Sequence, residues 1–200
     1  MSSASRSRTE LAHALRSVLL DAGEAASLDV HGRIDAAVLV PLYVQDGVLH
    51  AVFTRRRDNL RRHAGEISFP GGRQDIEEGE EDLRHTALRE AEEEIGLPRE
   101  AVDIVGALTP TPTIATNYAV YPFVGMIEPG RRWKPSASEV AEVLELSIPD
   151  LRAGYRRKRL IRRGVPFRTD VFEVGDQLIW GATARILSDL LERLDGIDEG

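Results

Sequence analysis

The stretch FPGGRQDIEEGEEDLRHTALREAEEEIGL, Phe69 to Leu97, decides the fold. Phe69 closes the short run Ile67-Ser68-Phe69, and Pro70-Gly71-Gly72 follows. Two glycines in a row permit a sharp turn or a close backbone approach to a ligand. Residues 73–81 are polar and acidic and read as a loop. Asp82 to Ile95 reads as a helix, closed by Gly96 and Pro98. At about 100° per residue, Ala87, Leu88, Ala91 and Ile95 form an apolar stripe. Glu90, Glu93 and Glu94 fall on the neighbouring stripe, so three carboxylates are expected along one edge of a half-buried helix.

Like charges one turn apart destabilise a helix by roughly 0.2–0.5 kcal/mol per pair. A hard divalent cation with a preference for oxygen ligands removes that repulsion, and Mg²⁺ or Mn²⁺ suits it. An acidic helix face alone is more often solvated decoration. The order strand, Gly-Gly, acidic connection, acidic helix is what makes these residues a candidate site.

Upstream, Leu11, Leu15, Val18 and Leu19 recur at helical spacing from Thr9, with Gly23 as a stop. Ala36 to Tyr43 reads as a buried strand, Gln45-Asp46-Gly47 as a turn, and Val48 to Thr54 as the returning strand. Downstream, Val102–Leu108 and Tyr118–Ile127 read as strands split by a Thr/Pro-rich loop. Val140–Ile148 reads as another strand, with a short helix at Pro149–Ala153. Val171–Val174 and Gln177–Trp180 form an expected hairpin, and Thr183–Leu194 the last helix. The expected fold class is α+β, with a tail and helix over 1–30 and a single domain over 31–195.

The 200 residues carry 42% apolar and 30% charged side chains, a balance that suits one globular domain. No apolar run approaches the ~20 residues of a membrane helix, and MSSASRSRTE does not read as a secretory signal. No membrane partner is expected. The absence of cysteine excludes disulfides, thiolate metal sites and cysteine nucleophiles. It fits a cytoplasmic setting. A net charge of −7 disfavours a general nucleic-acid binder. That average hides segregation: residues 75–100 hold eleven acids and three bases, whereas 152–168 hold eight bases and no acid. The first stretch suits cations and the second phosphate.

These residues resemble the Nudix box, G-x5-E-x7-R-E-U-x-E-E-x-G-U, where U is a bulky apolar residue. Arg89, Glu90, Glu93, Glu94, Gly96 and Leu97 match its second half, with Ala91 smaller than usual at the first U. Counting back from Arg89 puts the middle glutamate at Glu81, and counting forward from Gly72 puts it at Glu78. The loop is longer than the family pattern by three residues, and Glu78, Glu80 and Glu81 all compete for that role. Upstream, Leu60 to Gly72 is similar to the L-R-x-H-x-G-x-x-x-F-P-G-G element of the coenzyme A pyrophosphatase branch. Arg61, Gly65 and Phe69 match without gaps.

The resemblance implies a Nudix α/β/α sandwich with a mixed central sheet. It also implies Mg²⁺- or Mn²⁺-dependent hydrolysis of a pyrophosphate bond in a small-molecule substrate. For coenzyme A the products are 3′,5′-ADP and 4′-phosphopantetheine. By position, Glu90, Glu93 and Glu94 resemble the metal-binding carboxylates, joined by the Gly72 carbonyl. Arg89 is expected to orient them. The base is Glu90 or a later glutamate among Glu139, Glu142 and Glu145, with Glu139 preferred. Arg57, Arg61 and His63 are the expected substrate contacts, with Arg55, Arg56, Arg62 and the set Arg156, Arg157, Lys158, Arg159, Arg162 and Arg163 as further basic candidates. Two competing functions stay open: a Nudix enzyme for ADP-ribose or NADH, and a Nudix-like protein that binds a nucleotide without cleaving it.

Overall fold

The computed structural model describes residues 7–28, 30, 32, 34–58, 65–74, 82–113, 117–162 and 165–198. Two helices come first, α1 (Arg8–Val18) and α2 (Ala22–Ala26). Ser7 caps α1 through a capping box with Glu10, and Asp21 caps α2. Gly23 therefore sits inside a second short helix instead of ending the first.

The strands β1 (Ile34–Gln45) and β2 (Val48–Arg56) form a hairpin over a turn at Asp46-Gly47, both with positive φ. They pair only near the turn, from Leu42↔Ala51 to Gln45↔Val48. Beyond it they diverge, and two short strands fill the gap. The strand β3 (Ile67–Ser68) pairs with β2 at Thr54 and Arg55, and β4 (Gly71–Arg73) pairs with β1 at Ala36–Val38. Between them Pro70 accepts the Leu39 N–H. The Pro-Gly-Gly segment is thus not only a turn: its glycines lie in the ladder against β1.

The helix α3 (Leu83–Ile95) follows, capped by Asp82 and ended by Gly96 in the left-handed conformation. Next come β5 (Asp103–Ala107), β6 (Thr111–Pro112), β7 (Tyr118–Met126), β8 (Val140–Ser147) and α4 (Ile148–Gly154). The strands β9 (Tyr155–Arg162), β10 (Val165–Val174) and β11 (Gln177–Ile179) form a second, antiparallel sheet, and α5 (Gly181–Asp198) closes the chain.

In the main sheet β1 runs parallel to β7, while the other pairs are antiparallel, so the sheet is mixed. Alternate residues of β1 feed two cores. Ala36, Val40 and Leu42 join Leu11 and Leu15 of α1 and Leu187 and Leu190 of α5. Ala37, Leu39 and Tyr43 join Ala22 and Ala25 of α2 and Leu83, Ala87, Ala91 and Ile95 of α3. Helices therefore cover both faces, which is why β1 reads as an unbroken apolar run instead of an alternating one. This is the expected α/β/α layering. No helix among the described residues is long and apolar enough to cross a membrane.

Candidate active site

The site is built where α3 crosses the gap between β1 and β2. The apolar stripe of α3 packs on the sheet, so the adjoining stripe lies against β4. Packing there is close. A side chain at Gly71 meets the Ala37 carbonyl oxygen at 2.3 Å and Val38 Cα at 2.6 Å. A side chain at Gly72 meets the Glu90 carboxylate at 2.4–2.6 Å. Only glycine at these two positions brings the backbone so near the helix acids.

The three helix glutamates separate in the structure. Glu94 is buried, at 3% exposure. Its Oε2 accepts the Gly71 N–H at 3.2 Å, and its Oε1 lies 3.7 Å from Arg56 Nη1. Glu90 is mostly buried, with Oε1 2.9 Å from Arg89 Nη1. Glu93 is 61% exposed and 3.5 Å from the same Arg89 nitrogen. The sequence reading expects one front of three carboxylates. The structure gives a buried pair, Glu90 and Glu94, with Glu93 facing solvent at the rim.

Burial pushes the Glu94 carboxyl up to about 8; the Gly71 N–H and Arg56 pull it down, and Glu90 and Glu139 push it up further. Burial also raises Glu90, opposed by Arg89 and reinforced by Glu93 and Glu139. Two carboxyl groups that are hard to ionise together form a donor set that a cation satisfies. All the ligands on offer are oxygen, which suits a hard divalent ion. Among the described residues no group of three or more His, Asp or Glu side chains is arranged to hold a metal ion, so the expected set of Glu90, Glu93 and Glu94 reduces to the pair Glu90 and Glu94. The donor set fits such an ion, with positions left for other ligands.

Glu139 joins the site through backbone contacts. The segment after β7 runs along the end of α3, where Lys134 N–H donates to the Ile95 carbonyl and Ser136 N–H to the Glu94 carbonyl, at 3.0 and 2.8 Å. Glu139 N–H returns to the Ser136 carbonyl, and the Glu139 carbonyl accepts the Arg57 N–H. Arg57 Nη1 also donates to the Ala137 carbonyl at 2.8 Å. Arg57 thus braces the Glu139 turn. These contacts satisfy carbonyls that the helix end leaves open, and no motif in the sequence announces them.

The other late acids are engaged elsewhere. Glu142 pairs with Arg55. Glu145 lies beside the Tyr43 hydroxyl, and burial together with this carboxylate pushes the tyrosine's pKa up, so the hydroxyl keeps its proton. Glu139 alone of these three bears on both Glu90 and Glu94. On the distal sheet, Arg157 faces Asp170 and Lys158 pairs with Glu173, so part of this basic stretch is neutralised on its own hairpin. Arg61, Arg62, His63, Glu78, Glu80, Glu81 and Arg163 lie outside the described residues.

A NUDIX domain model matches residues 33–163. The chain is 38% identical over 159 residues to the uncharacterized Nudix hydrolase NudL of Salmonella paratyphi B, covering 78% of this chain and 80% of that protein. Among solved structures, the NUDIX domain of NrtR from Shewanella oneidensis, in complex with ADP ribose, aligns with a TM-score of 0.54 at 14% identity, over 87% of this chain and 96% of that one. A NUDIX hydrolase from Nitrosomonas europaea aligns with a TM-score of 0.53 at 14% identity, over 87% and 77%. At such identities the structural likeness speaks for the fold alone. The family model and the curated relative go further: this chain belongs to the Nudix hydrolase family.

Proposed function

We propose that this protein hydrolyses the pyrophosphate bond of coenzyme A or a close derivative in a divalent-cation-dependent reaction, releasing 3′,5′-ADP and 4′-phosphopantetheine. The observation that carries the chemistry is the buried pair Glu90 and Glu94 against the Gly71-Gly72 backbone. The substrate class rests on the resemblance of Leu60–Gly72 to the coenzyme A branch.

When bound, Mg²⁺ or Mn²⁺ supplies charge neutralisation of the diphosphate and polarises phosphorus toward attack. Glu90 and Glu94 would hold it, with Glu93 at the rim and the Gly72 carbonyl as a further oxygen. Arg89 fixes Glu90 by its 2.9 Å contact. Arg56 and the Gly71 N–H hold Glu94. The hydrolytic water loses a proton to a carboxylate, its oxygen forms a bond to one phosphorus, and the bridging P–O bond breaks. The second phosphate departs with the bond's electron pair. Glu139 is our candidate for the proton acceptor, since its turn is tied to both α3 and β2. Arg57, Arg61 and His63 are assigned to the substrate's phosphates.

The test is a product assay with Mg²⁺ or Mn²⁺ on coenzyme A, dephospho-coenzyme A, ADP-ribose and NADH, with Glu94→Gln alongside. Formation of 3′,5′-ADP from coenzyme A, lost in the variant, is the expected result. Faster cleavage of ADP-ribose or NADH keeps the hydrolase and discards the substrate. Cleavage of none of them favours a binding protein.

A further inference from the structure

Thr86 lies on α3 one helical turn before Glu90 and two turns before Glu94. Residues spaced four apart stack along one helix face, so the three side chains form one row. Thr86 is fully buried, at 0% exposure, and its Oγ1 has no hydrogen-bond partner. An unsatisfied buried hydroxyl costs about 1–3 kcal/mol. Helical threonines ordinarily relieve that cost by bonding to a carbonyl of the preceding turn, and Thr86 does not. Valine fills the same volume without the penalty, so packing gives no reason for the hydroxyl.

The neighbour one turn on supplies a reason. The Glu90 carboxylate is drawn toward Arg89 through Oε1 and lies against Gly72. A carboxylate accepts about four hydrogen bonds or metal contacts, and one guanidinium contact leaves its rotation free. We propose that Thr86 is a positioning residue: its hydroxyl donates to the Glu90 carboxylate when a divalent cation engages Glu90, fixing which oxygen faces the ion. The role rests on the cation site proposed above. Outer partners of this kind change metal affinity by roughly 10–100-fold.

The experiment titrates Mn²⁺ into wild type, Thr86→Val, Thr86→Ser and Glu90→Gln by calorimetry, with melting curves in chelator. Thr86→Val is expected to melt at or above the wild-type temperature without metal, yet to bind Mn²⁺ about tenfold or more weakly. Thr86→Ser, which keeps the hydroxyl, is expected to restore most of the affinity. In the Glu90→Gln background, Thr86→Val is expected to have no further effect, because the role acts through Glu90. Wild-type affinity in Thr86→Val overturns the inference while leaving the cation site standing. Equal losses in Val and Ser, with lowered melting temperatures, assign Thr86 to packing and also overturn it. A wild-type protein that binds no Mn²⁺ overturns the cation site and this role together.

Discussion

At Glu94 an ionisable side chain sits at 3% exposure with one backbone N–H and one guanidinium for company. Burying an ionised carboxylate is costly unless its partners compensate. Here they do so only in part, since the carboxyl is pushed up to about 8. Perturbed acids of this kind gather at functional sites. Glu94→Gln keeps the volume and an acceptor for the Gly71 N–H but removes the charge. Its metal-dependent hydrolysis is expected to fall by about 100-fold or more, the scale of losing one preorganised electrostatic contact. Its melting temperature is expected to hold at about pH 5, where Glu94 of the wild type still keeps its proton, and steady-state assays beside melting curves check both. A second comparison separates the late acids. Glu139→Gln is expected to cut kcat by at least about tenfold, as loss of an acid–base group does. Glu142→Gln and Glu145→Gln, whose partners are Arg55 and Tyr43, are expected to stay near wild type. Helical spacing singled out Glu90, Glu93 and Glu94 alike, and the family resemblance added Glu139 as the preferred one of three later acids. It did not show that Glu93 stands apart, because helical spacing fixes direction around the axis but not what covers each side chain. Thr86 was equally hidden: a threonine among alanines and leucines looks like filler until its hydroxyl is seen buried without a partner.

Among the elements, Gly71-Gly72 in β4 gives the cleanest contrast, because two adjacent glycines are needed for different reasons. A methyl at Gly71 strikes the β1 backbone, which cannot yield cheaply. Gly71→Ala is expected to cost about 1–3 kcal/mol in denaturant unfolding. A methyl at Gly72 strikes only the end of the Glu90 side chain. Gly72→Ala is expected to remain close to wild type in stability and to lose activity, since Glu90 must move off its position. If the two variants lose stability equally, the separate roles do not hold. The run Pro-Gly-Gly reads as a turn in isolation, because strand pairing for two glycines is decided by where β1 and β2 part. The strand β9 escaped notice for a related reason. Arg156, Arg157, Lys158 and Arg159 are all exposed, so there is no apolar alternation to read. Its ladder to β10, from Phe172↔Tyr155 to Val165↔Arg162, makes it a strand. By contrast, α3 was legible nearly to the residue, since Asp82 and Gly96 mark its ends in chemical terms.

For the molecule as a whole, the layered plan was legible through the family resemblance, and the buried reading of Ala36–Tyr43 agrees with it, since a strand apolar on both faces needs cover from two sides. Which helix covers which face follows from chain crossings that no local pattern records. The same burial that builds the second core also desolvates the site acids, so site chemistry and global stability are linked. Glu94 has an ordinary carboxyl value of 4.5 and a folded value of about 8 without metal, and Glu90 shifts in the same direction. Between those two values the folded chain holds a proton that the unfolded chain has released. Stability is therefore fully present below the ordinary value and declines as pH rises through the folded one. The metal-free protein is expected to melt progressively lower from about pH 5 to about pH 8, and Glu94→Gln, which has no proton to lose there, is expected to show a flatter profile. On the proposed metal role the cation engages the ionised pair of the folded state only, so Mg²⁺ at the upper end of that range is expected to raise the melting temperature of wild type by linkage, and that of the variant less. Parallel profiles for the two proteins in chelator would show that Glu94 carries no buried proton. Equal Mg²⁺ shifts would show that the cation is held elsewhere.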